Sequence, residues 1–547
     1  MGKFEDAMNR NPHLKAYVNS FVRRYGRVPG FEERLSRDMA EIEHPNIIYP
    51  VGDPIFIHIY GDVKREKRCI VIEPSLNELE EKKYKLILSL ILNKAPHEPV
   101  PKDESELKDL ITKLLMESIS IGPGGTLPEE EGGRLKIRLK KISQVPVTEE
   151  EFDKIHYILQ RDIVGSGVLE PLMRDPYIED IHSLGTMNIH IVHKVFGMIE
   201  TTVRFKNEEE LDRYLKNLGE RIGRPVSDAR PIVDGTMPDG SRINIVYSND
   251  VSGKGPSFTI RKFSDVPIAI TQLIKWGSIS AEIAAYAWLC LENGMSAFVC
   301  GETASGKTTL LNALLSFIHP KSKILTAEDT PEVRPPHKVW QQLITRESGP
   351  PESRVEMFDL LRAALRSRPN YIIVGEIRGR EGAVAFQAMQ TGHPVLATFH
   401  ASSVRKMIQR FTGDPINVPV TFIDNLNVVF IQQAVYRKGK FLRRCTSVEE
   451  IEGYFEEAGG VVTRAVFQWD SIDDVHIFRG MNNSYILENK IAERAGYEDK
   501  REIYDDLLLR AKILDEMVNR EIFDYNQVNK IIRDFYDRGL EGIPFPI

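Results

Sequence analysis

Phe298-Val299-Cys300-Gly301-Glu302-Thr303-Ala304-Ser305-Gly306-Lys307-Thr308-Thr309-Leu310-Leu311 is the stretch whose reading decides the fold. Three apolar, strand-forming residues run into a loop that ends in Gly-Lys-Thr, and Leu310, Leu311, Leu314 and Leu315 then recur at helical spacing. Strand, glycine loop and helix in that order read as a phosphate-binding loop. Gly301 and Gly306 let the backbone curl so that consecutive N–H groups point inward, and the helix opening at Lys307 adds its positive dipole end to that nest. Gly301, Glu302, Thr303, Ala304, Ser305, Gly306, Lys307, Thr308 and Thr309 are therefore candidate nucleotide-binding residues. The spacing assigns Lys307 to the β- and γ-phosphates of ATP, the Thr308 hydroxyl to Mg²⁺ and Thr309 to the α-phosphate.

Working outward, expected strands at 297–300, 323–327, 371–374 and 395–399 alternate with expected helices at 308–317, 357–366 and 382–390. Several of these strands are continuously apolar, as strands covered on both faces must be. The pattern predicts an α/β unit with a doubly wound parallel sheet and a ligand off the carboxyl ends of its strands. Three segments end strands there. Ile324-Leu325-Thr326-Ala327-Glu328-Asp329-Thr330-Pro331-Glu332 stops in carboxylates, and Tyr371-Ile372-Ile373-Val374-Gly375-Glu376-Ile377-Arg378 ends an apolar strand in a carboxylate. Thr391-Gly392-His393-Pro394-Val395-Leu396-Ala397-Thr398-Phe399-His400 places a histidine on either side of a strand. ATP hydrolysis needs a metal across the β- and γ-oxygens, a carboxylate to orient water and positive groups for the transition state, and each role has a candidate here.

A chain of 547 residues is too long for one ordinary core. Apolar residues make up 42% and charged residues 28%, as in globular proteins, and the net charge of −7 gives no general affinity for nucleic acid or anionic lipid. Cys69, Cys290, Cys300 and Cys445 lack the paired spacing of a zinc site. No stretch approaches the apolar length of a membrane span, so the expected location is cytoplasmic, at a membrane only by recruitment.

Before the phosphate loop, Asn11 and Pro12 read as the start of a helix with an apolar stripe at Leu14, Tyr17, Val18, Phe21, Val22 and Tyr25, stopped by Gly26. The stripe either packs on its own domain or serves as a docking arm for a partner. Strands are expected within 47–74 and helices at 84–93 and 107–121. A Gly/Pro/Glu-rich loop follows at 122–133, and then the basic alternating run Lys136-Ile137-Arg138-Leu139-Lys140-Lys141. Thr148 with Glu151 makes a capping box for a helix through about Val164. Strands at 178–182, 188–193 and 197–204 precede a helix capped by Asn207 with Glu210. Further strand signals flank the Pro238-Asp239-Gly240 turn, and Asp265-Val266-Pro267 reads as a linker. Beyond strand 429–436 a hairpin is expected at Lys438-Gly439, then a β segment at 460–469 and an amphipathic helical tail over 488–538. The expected domains are 1–147, 148–266 and 267–547.

The phosphate loop, the Glu328-Asp329 cluster, Gly375-Glu376-Ile377-Arg378 and the Thr391-Gly392-His393 to His400 segment resemble the Walker A, Asp box, Walker B and His box of the type II/type IV secretion ATPases. Glu376 stands where a Walker B Asp is usual. Ser257-Phe258-Thr259-Ile260-Arg261-Lys262-Phe263 and the mixed domain before it resemble that family's N-terminal domain. The likeness covers roughly 148–436. It is strongest to the archaeal branch, and especially to archaellum (archaeal flagellum) motor ATPases; the paired-cysteine zinc module common in the bacterial type II branch is missing.

That resemblance implies a RecA-like P-loop domain preceded by mixed α/β N-terminal domains and followed by a helical C-terminal tail, assembled as a homo-hexamer with ATP and Mg²⁺ between domains. Glu376 would support the metal, Glu328 would polarise water with Glu332 in reserve, and His400 would sense the γ-phosphate, while His393 shapes a turn. Arg242 and Arg261 are candidate arginines reaching the phosphates, in the same subunit or a neighbour. The implied partners are a polytopic membrane platform protein and other cytoplasmic motor subunits, with no nucleic acid. The implied work is archaellum assembly and rotation. Pilus assembly or protein secretion is the alternative, and a nucleic-acid translocase or DNA-transfer ATPase a more remote one. A non-catalytic ATP-sensing scaffold would not need the water-orienting carboxylate.

Overall fold

The computed structural model describes residues 3–63, 65–122, 143–263, 266–346, 350–437 and 440–547. Residues 123–133 of the loop expected at 122–133, the basic run at 136–141, Asp265 of the linker and the Lys438-Gly439 turn lie outside the described residues. The chain divides into two compact units, Met1–Phe263 and Ser264–Ile547.

In the first unit the described strands are β1 (Gly30–Phe31), β2 (Asn46–Pro50), β3 (Phe56–Asp62), β4 (Arg65–Ile72), β5 (Ile119–Ile121), β6 (Val145–Val147), β7 (Ile178–Leu184), β8 (His190–His193), β9 (Gly197–Thr201), β10 (Ile232–Thr236), β11 (Arg242–Val246) and β12 (Ser257–Arg261). All but β5 and β6, which pair with each other, join one sheet in the order β1-β2-β3-β4-β9-β8-β7-β12-β11-β10. β4 and β9 pair in parallel, Cys69 opposite Thr201, so residues on both sides of Thr148 share this sheet.

The first long helix, Pro12–Tyr25, buries Leu14 and Val18 in a cluster with Ile48, Phe56 and Ile72, and Phe21 against the rings of His58 and Tyr60. Its apolar stripe packs on its own unit. Gly26 ends the helix at φ +66, its N–H on the Val22 carbonyl. Asn11, however, makes no side-chain cap: its amide donates back to the Ala7 carbonyl at 3.1 Å, because another helix, Lys3–Arg10, precedes it. The Thr148–Glu151 capping box forms with both bonds, and Asn207 caps helix Glu208–Arg221 through the Glu210 N–H at 2.9 Å.

The second unit is built on β13 (Ala297–Gly301), β14 (Ile324–Glu328), β15 (Trp340–Ile344), β16 (Tyr371–Ile377), β17 (Val395–Phe399), β18 (Val428–Arg437), β19 (Lys440–Phe455), β20 (Gly460–Asp470) and β21 (Val475–Phe478). Their order is β15-β14-β16-β17-β13-β18-β19-β20-β21. From β15 to β18 every pairing is parallel, and β19, β20 and β21 extend the sheet as an antiparallel meander. The parallel part is doubly wound. On β13, Ala297 and Val299 enter one core cluster while Phe298 and Cys300 enter the other; β16 divides Tyr371 and Ile373 from Ile372 and Val374 in the same way. That period of two, with apolar residues on both sides, is why these strands read as unbroken apolar runs.

One face carries helix Ala281–Glu292, whose Trp288 stacks on Phe317 at 5.1 Å. The C-terminal helices Glu502–Asn519 and Tyr525–Arg538 bury Leu507, Leu514, Val528 and Ile532 in that same cluster. They are part of the core of this unit. All four cysteines are buried and free. Among the described residues no helix is long and apolar enough to cross a membrane.

Candidate nucleotide-binding and catalytic site

β13 delivers the phosphate loop between β17 and β18, at the carboxyl edge of the parallel strands. Gly301 is obligatory there: a Cβ would lie 2.1 Å from the Gln432 carbonyl oxygen on β18 and 2.6 Å from Ser305 Oγ. Gly306, at φ +89, turns the chain into helix Lys307–Leu314. Ala304 also takes a left-handed φ, +61, and its carbonyl accepts a bond from Arg443 Nε at 2.9 Å, reaching over from β19. The Glu302 carbonyl gathers the loop, accepting from Ser305 Oγ at 2.7 Å and from Lys307 Nζ at 2.9 Å. Thr308 and Thr309 sit half-buried in the first turn, whose N–H groups have no partner inside the helix.

Lys307 Nζ also lies 3.4 Å from His400 Nδ1. An ammonium only donates, so Nδ1 accepts and the imidazole proton sits on Nε2. Nε2 in turn is 2.8 Å from Glu376 Oε1. The second Glu376 oxygen accepts from Arg378 Nη2 at 2.6 Å, and Arg378 Nη1 lies 3.6 Å from Asp329 Oδ2. One polar chain, Lys307–His400–Glu376–Arg378–Asp329, thus crosses the ends of β13, β17, β16 and β14. Burial works to raise the Glu376 carboxyl, but Arg378, with His400 and Lys307 beside it, outweighs burial and holds it below the usual carboxylate range. Burial and the Lys307 charge push His400 below its ordinary value, against the pull of Glu376. Lys307 is lowered by burial, with Glu376 opposing.

Glu328, the last residue of β14, is 1% exposed. Its Oε1 accepts the N–H groups of Glu332 at 2.8 Å and Val333 at 2.7 Å, and Oε2 accepts from Gln342 Nε2 at 3.3 Å. Burial outweighs those bonds and raises the carboxyl to about 7. Gly375 makes room for it, since a Cβ there would come 3.2 Å from Glu328 Cγ. The segment after Glu328 is fastened to the phosphate-loop helix by Asn312, which donates to the Glu332 carbonyl at 2.9 Å and accepts from Arg334 N–H at 2.8 Å.

His393 precedes β17 while His400 follows it, so the two stand at opposite ends of the strand; His393 contacts Thr391 Oγ1 at 3.3 Å within its own turn. Arg242 and Arg261 belong to the first unit, directly opposite each other on β11 and β12. Arg261 Nε bonds Asp180 Oδ1 at 3.0 Å. Sequence reading left out Arg443, Asn312 and Gln342. Asn312 lies one turn and a half beyond Lys307 on a helix quoted only for its leucines, whereas Arg443 is set against the loop by strand pairing alone and has no local signal.

Among the described residues no group of three His, Cys, Asp or Glu side chains could hold a metal ion by itself. Mg²⁺ at phosphates is bound by one or two protein oxygens plus phosphate oxygens and water, and Thr308 with Glu376 meets that lesser requirement.

A model of the type II/IV secretion system protein family matches residues 162–521. The chain belongs to this family. An uncharacterized protein of Methanocaldococcus jannaschii, MJ0900, is 63% identical over the whole chain and 98% of its own length. The conjugal transfer protein TrbB of Rhizobium radiobacter is 30% identical over 42% of this chain and 70% of TrbB. Among solved structures, the pilus retraction motor PilT with bound ADP is 18% identical, with a TM-score of 0.38 over 68% of this chain and 94% of PilT. The secretion-family match runs from the first unit through the phosphate loop into the C-terminal helices, well past the motifs themselves.

Proposed function

We propose that this secretion-family chain is a Mg²⁺-dependent ATPase that converts hydrolysis into domain motion and drives filament assembly at a membrane. The observation that carries the reading is the polar chain from Lys307 through His400 to Glu376 and Arg378, set beside a phosphate loop at the carboxyl ends of the strands. Lys307 exchanges the Glu302 carbonyl for β- and γ-phosphate oxygens, and His400, released from Lys307 and taking up a proton on Nδ1, donates to the γ-phosphate. Thr308 and Glu376 hold Mg²⁺, which when bound neutralises charge on the phosphoryl oxygens. Glu328, with a carboxyl near neutrality, orients the attacking water, and Glu332 is the second candidate. Arg242 and Arg261 reach the phosphates from a first unit, of the same or a neighbouring copy.

The machine we favour is an archaellum, powered by a homo-hexamer acting on a polytopic membrane protein with other cytoplasmic motor subunits. Its support is the motif resemblance alone. Host cells whose only copy carries Lys307→Ala are expected to lose archaella and swimming while keeping thin pili. Cells that swim but lack pili would assign the chain to pilus assembly. Specific ATPase activity is expected to rise with protein concentration; constant activity from a confirmed monomer would contradict the ring. The likeness to TrbB favours DNA transfer as a second reading, and stimulation of the ATPase by single-stranded DNA would establish it in place of the first.

A further inference from the structure

A cavity of about 380 Å³ opens on the second unit between the segment that follows Glu328 and the last long helix, Tyr525–Arg538. It is no part of the phosphate-loop site. Its lining brings together Arg334, Lys530 and Arg533 with Tyr525, Asn526 and Asn529, against walls that include two consecutive prolines, Pro335 and Pro336. The fold holds these groups in place. Tyr525 donates to the Arg334 carbonyl at 3.2 Å, Arg533 to the Pro336 carbonyl at 3.4 Å, and the Arg334 guanidinium lies 5.7 Å over the Trp340 ring. Asn529 is 7% exposed, and its amide donates to the Tyr525 carbonyl at 2.8 Å. Its amide oxygen has no hydrogen-bond partner among the described residues.

We propose that this pocket binds a small phosphorylated molecule that also carries a hydroxyl, of the sugar-phosphate class, and that its occupancy is transmitted to Glu328. Two guanidinium groups and one ammonium lining a cavity are the donor set for a phosphate, which arginine forks grip in two-point fashion. The exposed Asn526 amide on the same lining can accept a proton as well as donate one, and a bare phosphate at neutral pH supplies that proton poorly while a sugar hydroxyl supplies it well. The volume lies at the small end of ligand pockets, which span about 300–1,000 Å³, and suits a molecule of that size better than a folded partner. Transmission follows from the chain path. Arg334, Pro335 and Pro336 line the cavity, while the Glu332 and Val333 N–H groups just before them hold Glu328 Oε1 and the Arg334 N–H holds Asn312 on the phosphate-loop helix. A ligand drawing Arg334 outward therefore pulls on the hydrogen bonds that fix Glu328.

The test uses the full chain with the phosphate loop saturated by Mg²⁺ and a non-hydrolysable ATP analogue. Ribose 5-phosphate, inorganic phosphate, ribose and a short oligoglutamate are titrated calorimetrically. Ribose 5-phosphate is expected to bind one site per chain, more tightly than inorganic phosphate, with ribose silent. Lys530→Gln/Arg533→Gln should weaken it at least about tenfold. Lys530→Gln alone, an exposed change that leaves folding untouched, should weaken it about threefold. In a separate assay, ribose 5-phosphate should change the ATPase rate of the unaltered chain about twofold or more and leave the double variant unresponsive. Equal affinity in all variants, or no binding by either phosphate, overturns the site. Binding of oligoglutamate alone makes it a protein contact and overturns the ligand class, and binding with no change in rate overturns the link to Glu328. The binding arm needs no turnover, so it reads out even if the ATPase reading fails.

Discussion

His400 sets its Nε2 2.8 Å from Glu376 Oε1 while its Nδ1 faces Lys307 Nζ at 3.4 Å, so one neutral ring, its proton on Nε2, stands between the lysine proposed to bind phosphate and the carboxylate proposed to hold the metal. The ring can serve both only in that tautomer. In the resting chain it should be less than half protonated at pH 6.5, where a free imidazole is half protonated. Titration of the His400 ring by NMR is expected to give a midpoint below 6.5, and a midpoint above it would contradict the assignment. His400→Ala should cut turnover about a hundredfold, with a smaller change in ATP affinity.

If Glu376 holds Mg²⁺ as proposed, Arg378 competes with the metal for its Oε2. Removing the arginine should therefore ease metal binding, and removing the carboxylate should hinder it. We expect Arg378→Ala to lower, by about threefold, the Mg²⁺ concentration that half-saturates binding of a fluorescent ATP analogue, allowing for the exposure of the pair. Glu376→Gln should raise that concentration. Shifts of the same sign would refute the competition.

Glu328 makes stability depend on pH in an unusual direction. Its folded carboxyl titrates near 7 against an ordinary 4.5, so the native state holds the proton more tightly than the unfolded chain. The stabilisation is complete below about pH 4.5 and is lost as pH rises towards 7, a total on the order of 3 kcal/mol. Glu328→Gln, which cannot ionise, should be more stable than the unaltered chain at pH 8 and lose that advantage at pH 5. Parallel denaturation curves for the two proteins at both pH values would show that the ionised carboxylate is not the costly species. The same variant should keep ATP binding and lose turnover.

Asn312 satisfies two main-chain groups at once, the Glu332 carbonyl and the Arg334 N–H. Asn312→Ala leaves both without their partner and should cost about 2–3 kcal/mol. Because those groups belong to the segment that holds Glu328, turnover should fall even at temperatures where the variant stays folded. A variant with reduced stability and undiminished turnover would separate Asn312 from the catalytic geometry.

What could be read from the sequence was whatever a short window contains. The phosphate loop, the four central apolar strands, the capping box at Thr148 and the N-cap at Asn207 are fixed by neighbours a few residues apart, so their letters carry them. β15 escaped because it is a half-exposed edge strand, and with it went Gln342, the donor to Glu328. The parallel pairing of β4 with β9 joins residues some 130 positions apart, and no local periodicity announces such a partner. The C-terminal helices were legible as amphipathic, but their burial against Trp288 depends on a surface elsewhere in the chain. Within the site the same division holds: Lys307, Glu376 and His400 stand in motifs, whereas the bonds made by Arg443 and Asn312 exist only after the sheet has formed.

The bond from Arg443 to the Ala304 carbonyl, and the closeness of Gln432 to Gly301, tie the phosphate loop to the β18–β19 pair. A fragment ending at residue 437 would contain every motif letter and still lack the strand that shapes the loop. A cassette cut from this protein therefore cannot stop at its motif boundaries, and it has to run on through β19 and the C-terminal helices that fill the same core.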